Sequence, residues 1–183
     1  MTTERRIDDV CAFLREYACG DILLKRPDDD DPERVEWAHP QVHGVYIPRL
    51  PEGQDWLSPT PCVIVGPLND TRQRDEGTLT LRLLVMTWDP GTREDVEEEP
   101  VRKLEIDREG WRALYTFMER IQGAMAEHVT IGDMEVGFPM ETALYSDGET
   151  VPDLRPYYLG QIDVPMRYVF TRRRSPHTRR LLD

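Results

Sequence analysis

The sequence lacks the short motifs that usually identify an enzyme. It contains no glycine-rich phosphate-binding loop with its lysine, no Gly-x-Ser-x-Gly turn and no His-Glu-x-x-His pair. Nucleotide hydrolysis, serine hydrolysis and zinc-protease chemistry therefore lose the sequence signals on which they usually depend. We predict a non-enzymatic protein that carries neither a cofactor nor a catalytic metal.

Cysteine is scarce, and long apolar runs are missing. Cys11, Cys19 and Cys62 are an odd number, and their spacing fits neither a zinc ribbon nor a disulfide framework. We expect reduced and mostly buried thiols. The segment MTTERRIDDV has no signal-peptide core, and no run of about 18 apolar residues occurs. We therefore expect a cytosolic chain that does not contact a membrane.

Positive charge is scarce outside one segment. The chain has 23 Lys and Arg against 35 Asp and Glu, which gives a net charge of −12. Residues 171–183 hold five arginines and one aspartate, so this segment is +4 and the rest of the chain is −16. Binding to nucleic acid depends on cations that displace counterions from phosphates. The acidic body is therefore not expected to grip DNA, although DNA could pass between acidic walls.

Two amphipathic helices are predicted from the spacing of apolar residues. The first covers residues 3–18, with Thr2 or Thr3 as N-cap and Gly20 as the stop. The second has Asp107 as N-cap and an apolar face that must cover a sheet. This face consists of Trp111, Leu114, Phe117, Met118, Ile121 and Met125.

Three long strands are predicted from β-favouring composition and alternation. Residues 61–67 form an apolar run between prolines, and residues 77–88 alternate Thr and Leu, which indicates an adjacent antiparallel pair. Residues 157–170 form the last strand, where Pro165 lacks a backbone donor and predicts a bend or an edge position. Shorter strands are predicted at residues 45–47, 134–138 and 142–145.

The order of helix, strands, long helix and strands shows no βαβ alternation. It predicts an α+β fold: a single mainly antiparallel sheet with helices packed on one face. The length favours one domain over residues 1–170, followed by the basic tail 171–183. Within the domain, residues 27–36 are predicted to be an exposed, acidic and proline-rich loop.

Two groups of residues could bind a metal, but each is better explained as solvent-exposed. His39 and His43 are four positions apart, yet Pro40 favours an extended backbone there. The acidic run lacks the alternating spacing and the turn glycine of a calcium loop, so we expect solvated charges. The run consists of Asp28, Asp29, Asp30, Asp31 and Glu33.

A magnesium-dependent nuclease is the alternative function from a different class. It would need carboxylates on neighbouring strands together with a lysine, for which Glu105, Lys103 or some of residues 28–31 would be the candidates. These residues alone do not favour it.

Three tryptophans lie near turns, beside prolines and charges. Aromatic residues displayed there often anchor protein interfaces, although they can equally cover the ends of a core. We predict an interface role for Trp37, Trp56 and Trp88.

Four segments follow one another in an informative order. PCVIVG at 61–66 precedes a long strand that ends in TWD at 87–89, with Gly91 after it. GW at 110–111 then opens a helix that contains ERI, and PYYLGQI at 156–162 opens the final strand. Over residues 61–170, this order resembles the tail terminator, or tail completion, proteins of long-tailed bacteriophages. The acidic insertion in the first third of the chain and the arginine-rich end depart from that family.

The resemblance implies a structural virion protein with no catalytic residues. Such a protein forms a homo-hexameric ring that caps the tail tube protein and joins it to the head-side connector protein. It is made in the cytoplasm of the host bacterium and resides in the tail or neck of the virion. Another neck, connector or baseplate component of similar fold is the nearest alternative.

Two charged groups acquire expected roles in such a ring. Acidic loops are candidates for lining a lumen through which DNA slides without sequence-specific binding, with simple exposure to solvent as the alternative. These are Asp28, Asp29, Asp30, Asp31, Glu97, Glu98 and Glu99. The arginines would pair with acidic surfaces of a neighbouring subunit or the tube, with phosphate contact as the alternative. These are Arg172, Arg173, Arg174, Arg179 and Arg180.

Overall fold

The computed structural model describes residues 1–28, 34–46, 57–91, 93–96, 103–106, 110–146, 150–151 and 153–169. The helices are α1 (Thr3–Phe13) and α2 (Trp111–Glu127). In chain order, the strands are β1 (Leu24–Pro27), β2 (Val35–Ala38), β3 (Gln41–Gly44), β4 (Cys62–Arg72), β5 (Glu76–Trp88), β6 (Arg93–Val96), β7 (Lys103–Ile106), β8 (Thr130–Ile131), β9 (Met134–Val136), β10 (Glu141–Leu144) and β11 (Tyr157–Val169).

The main sheet has seven strands and is mostly antiparallel. Its order is β3-β4-β5-β11-β9-β8, and β10 also pairs with β11. The predicted antiparallel pairing of β4 with β5 is confirmed, and β11 lies antiparallel to β5 along its whole length. β3 is the exception, because it runs parallel to β4. The mixture of this sheet with two helices agrees with an α+β class.

The start of α1 agrees with the sequence prediction, whereas the start of α2 does not. The hydroxyl of Thr2 accepts a hydrogen bond from the Arg5 amide at 3.4 Å, which confirms Thr2 as the first N-cap. α1 continues into a π-helical turn, Leu14–Ala18, just before Gly20. The N-cap of α2 is Gly110, which offers no side-chain cap, so the prediction of Asp107 as N-cap is wrong; Asp107 itself lies outside the described residues.

The main core lies between the two helices and one face of the sheet. Alternate residues of β5, which are Leu79, Leu81, Leu83 and Val85, are completely buried in it. They are joined by Val63 and Val65 of β4 and by every second residue of β11 from Ile162 to Tyr168. Both helices contribute to this same cluster, so the predicted one-sided packing is confirmed within the described residues.

Trp111 was expected on the apolar face of α2, and this expectation is wrong. Its side chain is 46% exposed, whereas Leu114, Phe117, Met118, Ile121 and Met125 are buried. Trp111 is the first residue of the helix. Its turn lies at the rim of the sheet and not over its centre, so helical spacing alone did not place it correctly.

Pro165 does not lie on an edge strand, contrary to one of the two predicted positions. β11 is flanked by β5 on one side and by β9 and β10 on the other. The carbonyl of Pro165 accepts a hydrogen bond from the Gly137 amide at 2.7 Å. Because both backbone polar groups of an antiparallel residue point to the same side, the missing N–H faces the link between β9 and β10. No ladder bond with β5 is lost there.

Three other predictions about strands need correction. β3 ends at Gly44, before the predicted strand at 45–47, and Val45 has a left-handed backbone with φ of 61°. The predicted acidic loop at 27–36 is bounded by a hairpin, in which β1 pairs antiparallel with β2. A second hairpin pairs β6 with β7, so the described residues contain three sheets and not one. Runs of charge had concealed both hairpins.

Neither helix in the described part of the chain is long and apolar enough to cross a membrane.

Candidate assembly surfaces

One edge of the main sheet is covered along only four of the eleven residues of β4. β3 pairs with residues 62–65 of β4, but β4 continues to Arg72. Beyond residue 65, no described strand pairs with this side of β4. Here Tyr46, Leu68 and Val45 are 79%, 50% and 39% exposed. We call these three residues the first edge.

A tight turn after β3 fixes the position of the first edge. The Val45 amide donates to the carbonyl of Val65 at 2.8 Å, and the Tyr46 amide donates to Gly44 at 2.7 Å. These bonds hold Tyr46 beside β4 while its ring stays in solvent. The sheet edge therefore presents an aromatic side chain on a backbone that is hydrogen-bonded in place.

The opposite edge of the sheet also displays apolar side chains. Phe138 is 60% exposed and Val129 is 68% exposed. Phe138 belongs to the link between β9 and β10, and Val129 directly precedes β8. The Val136 amide donates to the Val129 carbonyl at 2.9 Å, which holds the two segments together. We call Val129, Phe138, Pro139 and Met140 the second edge.

A shallow groove lies beside the second edge. Its lining is mainly apolar and comes from α2 and from the link before β10: Gln122, Gly123, Ala126, Phe138, Pro139 and Met140. A groove with one exposed aromatic ring beside it can accept an apolar side chain from another chain.

The face of the main sheet that points away from both helices is the outer face. At the end of the sheet near Trp88, a small apolar cluster covers it, formed by Leu57, Cys62, Ile64, Met86 and Leu159. At the other end, the outward positions are half-buried or exposed and polar. Arg82 and Asp163 form two hydrogen bonds across β5 and β11 at 2.8 and 2.7 Å.

A charged cluster joins α1 to the end of the sheet at which the turn between β4 and β5 lies. The Arg6 side chain is 1% exposed and donates to both carboxylate oxygens of Asp133 at 3.0 and 2.9 Å. Its guanidinium lies 3.5 Å from the centre of the Tyr168 ring. The Tyr168 hydroxyl donates to Asp70 at 2.5 Å, and Arg72 donates to the same carboxylate at 2.7 Å. We call these five residues the rim cluster.

The partners in the rim cluster alter one another's proton affinity. The hydrogen bond from Arg6 lowers the pKa of Asp133. The hydrogen bond from Arg72 is the main cause of the lowered pKa of Asp70, while burial chiefly raises the pKa of Tyr168. Since protein donors occupy these carboxylates, we interpret the rim cluster as an anchor of α1 and not as a catalytic centre.

The three predicted interface tryptophans have different positions. Trp37 is 61% exposed on β2, opposite Lys25 of β1. Lys25 donates to Asp89 at 2.9 Å, which fastens this hairpin to the end of β5. Trp88 is only 4% exposed, so its placement does not support a role at an interface. Trp56 lies outside the described residues.

Most of the predicted charged surfaces cannot be placed. Asp28 follows β1, and its carboxylate lies 3.6 Å from the Arg34 guanidinium. The other acidic residues predicted to line a lumen lie outside the described residues: Asp29, Asp30, Asp31, Glu97, Glu98 and Glu99. The same holds for Arg172, Arg173, Arg174, Arg179 and Arg180. Their roles stay predictions.

The cysteines and histidines of the described residues form no metal site. Among these residues, no group of three or more His, Cys, Asp or Glu side chains could hold a metal ion. Cys11, Cys19 and Cys62 are buried and unpaired, as predicted, and burial raises the pKa of both Cys19 and Cys62 to about 12. His39 Nδ1 lies 2.8 Å from the Ile22 carbonyl, and burial lowers the pKa of His43.

Sequence reasoning missed the second edge, the rim cluster and the position of Tyr46. Phe138 and Tyr46 were both assigned to strands. The available signal was an aromatic residue one or two positions before a proline, at Phe138-Pro139 and Tyr46-Ile47-Pro48, because the residue before proline tends to end a regular element. Arg6 gave no signal, since its spacing did not differ from that of a solvated helix residue.

Comparisons with known proteins add no assignment to these surfaces. A scan against protein-family models finds no match, and a search of curated proteins finds none either. The interpretation therefore rests on the geometry of the two edges and of the outer face.

Proposed function

We propose that the chain is a structural virion protein that assembles head to tail into a ring and caps the tail tube of a long-tailed phage. One observation carries the ring: apolar side chains are exposed at both opposite edges of one sheet. The first edge has Tyr46 at 79% exposure, and the second has Phe138 at 60%. A ring needs two different surfaces on each subunit, one for each neighbour.

The two edges suit a contact between different surfaces. The first edge offers a projecting ring, Tyr46, while the second offers the groove beside Phe138. Aromatic side chains inserted into grooves are common anchors of protein interfaces. The order β3-β4-β5-β11-β9-β8 separates the edges by the full width of the sheet, so both can be occupied at once. A tail terminator role adds the tail tube and the head-side connector as further partners.

Glutamate substitutions at the two edges test the head-to-tail arrangement. Tyr46→Glu and Phe138→Glu each place a charge on an exposed position, so the fold should survive while assembly is lost. An equimolar mixture of the two variants retains one intact pair of edges. We expect this mixture to form dimers and nothing larger, which can be measured by light scattering on a sizing column.

Tyr115→Glu serves as the matched control, because it makes the same exchange on α2 away from the first edge. It should assemble like the original chain. An interface between identical surfaces would behave differently: one glutamate variant would dimerise by itself, the other would stay monomeric, and mixing them would create no new species. Either result would contradict the head-to-tail ring.

The tail role needs a separate test. Purified tail tubes mixed with the chain should show it at one end in electron micrographs, with fewer capped ends for Tyr46→Glu. Density elsewhere in an intact particle would favour another neck, connector or baseplate component. A chain that stays monomeric and binds no tubes would refute the proposal.

A further inference from the structure

The polar half of the outer face carries three exposed carboxylates. Glu76, Glu135 and Glu141 lie on β5, β9 and β10, and no described residue donates a hydrogen bond to any of the three carboxylates. By strand register, they lie opposite Val169, Arg167 and Asp163, which are alternate outward positions on β11. We call these three glutamates the acidic strip.

The acidic strip is long and carries a net negative charge. From residue 163 to residue 169, six residues of extended strand span about 20 Å. Asp163 is neutralised by its two hydrogen bonds with Arg82, so Arg167 is the nearest unmatched cation on these strands. The strip with Arg167 therefore has a net charge of −2. No described helix covers it, since both helices pack on the opposite face.

The chain itself contains a segment of matching charge and spacing. Residues 171–183 hold an arginine triplet at 172–174 and an arginine pair at 179–180. In an extended segment, residues 173 and 179 would also lie about 20 Å apart. The two groups of cations can therefore meet both ends of the acidic strip at the same time. This segment follows directly on β11, which ends at Val169 beside Glu76.

We infer that the acidic strip binds the arginine-rich segment 171–183 of a neighbouring copy of this chain. To cover its own strip, the segment would have to reverse direction immediately after β11. Residues 170–174, FTRRR, contain none of the turn-favouring residues Gly, Pro, Asn, Asp and Ser, which first occur at Ser175 and Pro176, beyond the arginine triplet. A neighbouring subunit is available in the proposed ring, and in this respect the inference rests on the proposed function.

Contacts of this kind are individually weak and act together. An exposed pair of Arg and Glu contributes little by itself and is screened by salt. The segment alone should therefore bind weakly, but a ring multiplies its effect because the edges already hold the copies together. The inference predicts an assembly that weakens as the salt concentration rises.

A peptide experiment tests the strip directly. The probe is a fluorescent peptide with the sequence of residues 170–183, and the receptor is the full chain with Arg172, Arg173, Arg174, Arg179 and Arg180 replaced by glutamine. We expect salt-sensitive binding that falls at least tenfold when the receptor also carries Glu76→Gln, Glu135→Gln and Glu141→Gln. The matched control carries Glu16→Gln, Glu119→Gln and Glu127→Gln on the helical side and should bind like the receptor. Equal losses in both triple variants, or no binding at low salt, would overturn the inference.

Cysteine cross-linking tests which copy supplies the segment. The double variant Thr78→Cys and Ser175→Cys puts one thiol on the outer face and one in the segment, and the three native cysteines are buried. Mild oxidation should give a ladder of covalently linked chains on a denaturing gel. A link within single chains would overturn the assignment to a neighbour.

The outcomes separate this inference from the proposed function. Rings that form while the peptide fails to bind would refute the strip and leave the ring intact. Peptide binding by a chain that stays monomeric on a sizing column would refute the ring and leave the strip as a binding surface.

Discussion

The two faces of the main sheet are built differently, although the same strands supply both. Along β5, Leu79, Leu81, Leu83 and Val85 are completely buried against the helices. The residues that alternate with them, which include Thr78, Thr80 and Arg82, are only half-buried on the outer face. The helix-covered face holds the fold together, and the outer face leaves polar groups accessible to another chain.

The largest expected loss of stability comes from a substitution on the helix-covered face. Phe117 of α2 is completely buried in the main core. Phe117→Ala removes most of its ring contacts and leaves a cavity, so it should lower the free energy of unfolding by about 3–5 kcal/mol. Urea unfolding followed by circular dichroism measures this loss.

Thr80→Ala is the matched substitution on the outer face. It removes a half-buried side chain that forms no core contact, and the free energy of unfolding should change by less than about 0.5 kcal/mol. If Phe117→Ala and Thr80→Ala lowered the free energy of unfolding by similar amounts, the two faces would not differ in their contribution to stability.

Smaller effects are expected when two glycines of the central strands are replaced by alanine. One replacement should lower the stability of the fold and the other should raise it. At Gly77, an added Cβ would lie 2.5 Å from Oη of Tyr168, a buried residue of the rim cluster. Gly77→Ala should therefore displace the ring from Arg6 and Asp70 and cost about 1–3 kcal/mol. At Gly66, nothing lies within 4 Å of an added Cβ.

Gly66→Ala should stabilise the chain by about 0.4–1 kcal/mol, because alanine restricts the unfolded chain. Thermal unfolding of both variants checks the prediction. Melting temperatures that move in the same direction would count against the packing of Tyr168 over Gly77.

The smallest expected effect is a change in the pH dependence of stability at the rim cluster. The pKa of Asp133 is lowered in the folded chain by Arg6, so folding favours its charged form. This stability is present above the ordinary aspartate pKa of about 4 and is lost as the pH falls through the folded value. Asp133→Asn should be less stable at pH 7 and should lose less stability on acidification than the original chain.

Urea midpoints at neutral and at acidic pH measure this difference. Glu119→Gln on the exposed side of α2 is the control, and its loss on acidification should match that of the original chain. If Asp133→Asn also matched it, the ion pair would contribute nothing to folding.

The sequence predicted the covered face far better than the edges. Strong periodicity located α2, β4, β5 and β11, because a long element buries one face and must repeat its apolar residues at fixed steps. Periodicity did not predict the burial of two tryptophans. Trp88, a predicted interface residue, is buried, and Trp111, a predicted core residue, is exposed. Both lie at the end of an element, where neighbouring segments decide burial and periodicity carries no information.

The rim cluster and the two edges depend on tertiary structure. Arg6 meets Asp133 across 127 positions of sequence, and no local pattern reveals such a partner. The second edge lies in the link between β9 and β10. Both strands pair with the same side of β11, one after the other, and the link joins them. The hairpins β1–β2 and β6–β7 were missed because their charges conceal the alternation typical of strands.

The register of β4 shifts against β5 between Pro67 and Asn69, in the part of β4 whose other side β3 does not cover. Pro67 has no N–H to offer to an added strand, and an irregular strand twists away from a straight partner. The unflanked backbone is thus a poor template for β-sheet growth. In the proposed ring, this irregularity would protect closely spaced copies from amyloid-like stacking, and contacts between copies would be made by side chains.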